Sequence, residues 1–179
     1  MKKLIDILPP PTTPFNCGDQ LQWEYFINRL GTKVPSDYRQ FINTYGTGGI
    51  DKFLWILNPF VKDENVNFLK RKEEICTAYL QSKLAFPQYF EHEVFPSTGG
   101  ILPWGYTDNG DELYWLTFGN PDEWTIVVYT SRSSEYFHYP IIMTEFLYQI
   151  IMKEIVCDSF PDDFPFPNKK TEFFSFNVH

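Results

Sequence analysis

The side chains able to do chemistry in this chain are few and far apart. Its three histidines, His92, His138 and His179, form no HxxxH or HExxH pair that would set two imidazoles on one helix face. Glu91, His92 and Glu93 are contiguous and carry ligand-type atoms, but neighbours on an extended segment point in different directions. They read as a solvated loop, and no metal site is expected. Cys17, Cys76 and Cys157 are odd in number, widely spaced and without a CxxC pair. Reduced, mostly buried thiols are therefore expected rather than a disulfide framework or a zinc knuckle. No GxSxG turn offers a nucleophilic serine. The glycines of GTGG at 46–49 precede a strand, lack a following GK[ST], and read as a helix stop rather than a phosphate cradle. The run Asp108-Asn109-Gly110-Asp111, with Glu112 beside it, lacks the spacing of a calcium loop. It suits a tight hairpin in which Asn109 and Gly110 take positive φ. No cofactor is implied.

What remains is recognition chemistry. Of the five tryptophans, Trp23, Trp55, Trp104, Trp115 and Trp124, most belong in a core. Trp104, Trp115 and Trp124 nevertheless fall on adjacent predicted strands beside Asp108, Asp111, Glu112, Asp122 and Glu123. Aromatic anchors mixed with carboxylates suit an Arg- or Lys-bearing protein surface. A small-ligand or catalytic pocket around Trp104, Asp108 and Glu112 ranks below this, because no matched acid, base and nucleophile accompany it.

These residues need a scaffold. The opening PPPTTPFNCG reads as an extended arm. A helix follows in which Asp19 is the N-cap, Leu21, Phe26, Ile27 and Leu30 form the apolar stripe, and Gly31 is the stop. Ser36 is expected to cap a second helix bearing Tyr38, Phe41, Ile42 and Tyr45, ended by Gly46. IDKFLWILNPF reads as one central strand. The longest helix is expected over 63–84, with Val66, Leu69, Cys76, Tyr79, Leu80 and Leu84 inward. ILPWGYT, ELYWLTF and WTIVVYT then form an antiparallel meander, joined by DNGD and GNPDE turns. A short strand over 135–139 and a last helix capped by Thr144 complete the pattern. The aromatic end, FPDDFPFPNKKTEFFSFNVH, is expected to lie against the domain, since exposed phenylalanines are costly.

Composition bounds the class. With 179 residues, 43% hydrophobic and 19% aromatic, one domain can bury a core without staples. No apolar run reaches the ~18–20 residues of a membrane span. The N-terminal MKKLIDILPPPTTP is broken by Asp6 and prolines before a signal core develops, so a cytoplasmic protein without membrane contact is expected. A net charge of −8 repels nucleic acid and favours a basic protein partner.

LGTKVPSDYRQFINTYGTGGID, LPWGYTDNGDELYWLT, PDEWTIVVYTSR and MTEFLYQII form a series that resembles the SUKH superfamily over most of residues 18–163. The superfamily contains Smi/Knr cell-wall-assembly regulators of fungi and bacterial immunity proteins that neutralise toxins, often nucleases. The first motif is matched by Pro35, Asp37, Tyr38, Phe41, Tyr45, Gly46, Gly48 and Gly49, with Val34 where leucine is commoner. The second is matched by Pro103, Trp104, Gly105, Asp108, Asn109, Gly110, Asp111, Tyr114 and Trp115. The resemblance implies an α+β fold, a central mostly antiparallel sheet flanked by helices, and no catalytic residues. Its motif positions define the fold and do not transfer a binding face. The expected organisation is a proline-rich arm at 1–17, a SUKH-like domain at 18–163 and an aromatic tail at 164–179. The expected function is an immunity protein binding a toxin domain with a basic surface. The alternative is a regulatory or scaffolding module.

Overall fold

Near-continuous apolar runs on successive strands require a sheet covered on both faces. The computed structural model, which describes residues 1–166 and 169–176, has that architecture. The helices are α1 (Lys2–Ile7), α2 (Gln20–Leu30), α3 (Ser36–Tyr45), α4 (Phe68–Ala85) and α5 (Met143–Ile151). The strands are β1 (Gly48–Ile50), β2 (Leu54–Ile56), β3 (Ile101–Thr107), β4 (Glu112–Leu116), β5 (Thr125–Thr130), β6 (Glu135–Tyr139) and β7 (Phe173–Ser175). They form one antiparallel sheet in the order β6-β5-β4-β3-β2-β1-β7. The fold class is thus α+β, as expected. No helix among the described residues is long and apolar enough to cross a membrane.

The sheet divides two cores. On one face Leu54, Ile56, Leu102, Trp104, Leu113, Trp115, Ile126 and Val128 pack against α1, α2, α3 and α5. On the other, Ile101, Tyr114, Val127 and Tyr129 meet Ile75, Cys76 and Tyr79 of α4. Tyr38 sets its ring edge-on to Trp115 at 5.0 Å, and its hydroxyl donates to the Leu57 carbonyl at 2.7 Å. The Tyr45 hydroxyl donates to Leu8 O at 2.6 Å. Each motif tyrosine therefore buries a ring while keeping its polar end paired.

Helix ends are capped from a distance. Asp19 closes α2 in a local capping box, and Gly31 ends it in the left-handed region. Pro35, not Ser36, is the N-cap of α3 and has no side-chain acceptor. The Asp122 carboxylate fills that place, accepting from Ser36 N at 2.6 Å. Thr144 likewise lies inside α5, and its N–H donates to the buried Asp37 carboxylate at 2.8 Å. Asp37 also accepts from Tyr38 N at 2.8 Å, so one side chain ties α3 to α5.

Several expectations are corrected. IDKFLWILNPF is not one strand: Asp51 and Lys52 both take positive φ and fold it into the β1–β2 hairpin, with Phe53 N donating to Ile50 O at 3.0 Å. Trp23 rather than Leu21 faces the core from α2, and Leu80 and Leu84 of α4 are exposed while Phe68 and Ile75 are buried. The longest helix starts at Phe68 rather than 63, because the Asn67 side chain caps it there. Only Gly110 takes positive φ in the 108–111 turn. The GNPDE connection contains a 3-10 turn at Pro121–Glu123. The proline-rich PPPTTPFNCG has no helix or strand, but an unexpected helix precedes it: α1 buries Leu4 and packs on α5. Near the other end, β7 pairs with β1. A Cβ on Gly48 would stand 2.3 Å from the Phe174 carbonyl, which explains glycine at that crossing.

Two substitutions test this scaffold. Asp37→Ala removes the acceptor for two buried N–H groups and is expected to cost about 1–2 kcal/mol in urea unfolding. Gly110→Val forces a branched residue into φ +84° and is expected to cost about 1–3 kcal/mol. An unchanged urea midpoint for either removes the role assigned to that residue.

Candidate functional site

The β3–β4 hairpin carries most of the acidic residues singled out from sequence, and the structure gives them different tasks. Asp108 is exposed and accepts from the Trp55 indole N–H at 2.6 Å. Asp111 is fully buried: it accepts from the Thr107 hydroxyl at 2.9 Å, its own N–H donates to Thr107 Oγ1 at 3.1 Å, and Arg132 stands 3.5 Å away. Asp111 therefore locks the turn. Burial raises its carboxyl above the usual range, against the lowering effects of Thr107 and Arg132.

Trp104, Trp115 and Trp124 are 0%, 0% and 3% exposed and cannot anchor a partner. They pack in a row, with Trp104–Trp115 and Trp115–Trp124 ring separations of 6.2 and 6.1 Å. Their indole N–H groups have no partner among the described residues, so packing alone holds them. Adjacency on neighbouring strands is satisfied as well by an inward face as by an outward one, which is why it does not identify a binding surface.

The acidic residues do not form one patch either. Glu112 begins β4, whereas Asp122 and Glu123 lie beyond its far end. Asp122 faces the α3 N-terminus, whose Ser36 N–H holds its carboxyl below the ordinary value. A charge reversal there would perturb α3 itself.

Glu112 is different. It opposes Tyr129 on β5 and faces the α4 layer, where it lines a cleft of about 420 Å³. The cleft is walled by Tyr79, Phe86, Tyr89, Phe90 and Tyr129, with Ser82, Ser131 and Ser134 at its margins. Phe86 and Tyr89 are 57% and 53% exposed. They sit at the α4 C-cap and on the following 3-10 turn, Pro87–Tyr89, where the chain leaves the helix and cannot tuck them inward. The Tyr114 hydroxyl donates to the Glu112 carboxylate. No ion pair involves Glu112 among the described residues. Burial raises its carboxyl above the ordinary value despite the Tyr114 bond and the Arg71 charge. A larger depression of 660 Å³ between α2 and α4 holds charges of both signs, including the exposed Lys70–Glu64 pair at 3.6 Å.

A second cluster lies beside the cleft. Glu91 Oε1 is 3.9 Å from His92 Nε2 and 3.7 Å from His138 Nε2, so β6 brings His138 back onto the loop. Glu93 turns away to Lys83 at 2.6 Å. The expectation of scattered histidines is corrected for these two, while His179 lies outside the described residues. Burial, then the neighbouring His138, lowers the His92 imidazole, favouring its neutral form. None of the three thiols is paired. Burial pushes Cys76 up to about 11, which disfavours a nucleophilic thiolate.

The Glu112 environment predicts a pH effect. Its carboxyl is raised in the folded state, so the native protein binds the proton more tightly and this residue's contribution to stability falls as pH rises past the unfolded value. Glu112→Gln keeps an acceptor for Tyr114 and removes the charge. It is expected to melt higher than the parent at pH 7, with the gap closing as pH is lowered through the carboxyl range. A gap independent of pH contradicts a desolvated carboxylate.

A family model described as SUKH_6, SMI1-KNR4 cell-wall, matches residues 21–147. The match runs from α2 into α5 and contains both motifs and the whole β3–β6 meander. No curated protein and no solved structure gave a significant match. With more than half of its length covered by that model, and with the two-core sheet described above, the chain belongs to the SMI1-KNR4 cell-wall family within the SUKH superfamily.

Proposed function

We propose that this chain is a non-catalytic protein-binding domain, and specifically an immunity protein that binds a bacterial toxin domain with a basic surface and blocks it sterically. The observation that carries this reading is the aromatic cleft over Glu112, which holds a desolvated carboxylate that, among the described residues, forms no ion pair and feels only the Arg71 charge at longer range. A guanidinium or ammonium entering the cleft would lie against aromatic faces and meet that carboxylate. Relief of the desolvated charge would then contribute to affinity. The net charge of −8 would speed encounter with such a partner. Asp108 and Glu123 supply exposed acidic surface in the connections before and after β4, whereas Asp111, Asp122 and the three buried tryptophans support the scaffold.

The cell-wall description of the matched family favours a second reading, a regulatory or scaffolding module using the same cleft on a host protein. Protection of cells separates the two. The chain is co-expressed with a toxin domain encoded beside its gene, and complex formation is measured by calorimetry and by association rate against salt. Protection is expected, with an on-rate that falls as salt rises. Glu112→Lys is expected to abolish protection and Phe86→Ala or Tyr89→Ala to weaken binding by about tenfold or more, each with native circular dichroism. Full protection by Glu112→Lys discards the cleft. Specific capture of a host protein without protection discards the toxin partner in favour of the regulatory reading.

A further inference from the structure

We propose that Glu91, His92 and His138 bind one divalent transition-metal ion of the Zn²⁺ class at the outer edge of the sheet. One carboxylate oxygen and two imidazole nitrogens lie within 4.8 Å of one another. Tetrahedral zinc with bonds of about 2.0–2.1 Å sets its donors roughly 3.3 Å apart. The observed separations of 3.7 and 3.9 Å from Glu91 Oε1 need only a small closure. Glu91 and His138 are exposed enough to make it.

His92 is the fixed member of the set. Its ring stands edge-on to Tyr136 at 5.1 Å, its backbone N–H donates to the Tyr79 hydroxyl at 3.3 Å, and its carbonyl accepts from Lys83 Nζ at 2.7 Å. Its Nε2 is buried and has no hydrogen-bond partner among the described residues. A buried nitrogen lone pair without a donor costs free energy, and coordination satisfies it. Lys83 also holds Glu93 at 2.6 Å, which keeps the competing carboxylate out of the set. Two nitrogens and one oxygen match zinc, cobalt, nickel or copper rather than calcium or magnesium. Three protein ligands leave one position for water or an external donor. The ion would pin the loop after Pro87–Tyr89 to the edge strand β6, independently of what occupies the cleft.

The test uses the full untagged chain, freed of metal with chelator and titrated with Co²⁺ and then Zn²⁺. Saturable binding of one Co²⁺ with visible d–d absorption, displaced by Zn²⁺, is expected. His138→Ala and Glu91→Gln are expected to weaken binding at least about tenfold, whereas Glu93→Gln and His179→Ala keep it. Thermal melts of the metal-free variants show whether each is folded, and both ligand changes lie at partly exposed positions. Absence of saturable binding overturns the proposal. So does binding that survives both ligand substitutions in folded protein, or that is lost with His179→Ala.

Discussion

A strand buried on both faces has to send alternate side chains into two different interiors, and β4 is where this constraint is tightest. Leu113 and Trp115 enter the core shared with α1, α2, α3 and α5. Tyr114 enters the core under α4, and Glu112, two residues before it, faces the same side. No shift of register by one residue is available, since it would exchange tryptophan for tyrosine and glutamate in a packed layer. The position of the Glu112 carboxylate therefore follows from packing of Trp115 against Tyr38 and Phe68.

This has an energetic consequence for the cleft. A carboxylate under aromatic rings loses hydration, and a single tyrosine hydroxyl does not replace it. The fold tolerates that loss because the flanking strands and both cores hold β4 in place. Unfavourable charge burial in a surface cleft is the feature a cationic partner can relieve, which separates Glu112 from the exposed acids. Asp111 shows the opposite use of a buried carboxylate: paired to Thr107 and near Arg132, it closes a hairpin.

Long-range caps explain why the helices sit where they do. Asp122, from the β4–β5 connection, completes the first turn of α3, and Asp37, from α3, completes that of α5. Negative groups at helix N-termini satisfy free N–H groups and oppose the helix dipole. The helical layer is thus tied to the sheet connection and to itself through polar contacts.

The local pattern is legible in the sequence alone. The apolar run of WTIVVYT, the Asp19 and Gly31 ends of α2 and the Gly110 turn depend on neighbours along the chain, so the chain itself specifies them. The two motifs likewise point to the family and its α+β fold. Direction and assembly are decided elsewhere. Trp104 and Trp115 fit a strand as cleanly facing inward as outward, IDKFLWILNPF has only Asp51, and no glycine or asparagine, to mark the turn at Asp51-Lys52, and exposure of Leu80 and Leu84 depends on where α4 runs out of sheet to cover. The caps from Asp122 and Asp37 join residues 86 and 107 positions apart. His138 meets Glu91 and His92 only because β6 folds back beside the loop. Periodicity encodes which residues share a face, but the partner of that face is set by tertiary packing. Hence the elements belong to the sequence, and the cleft over Glu112 and the histidine cluster to the fold.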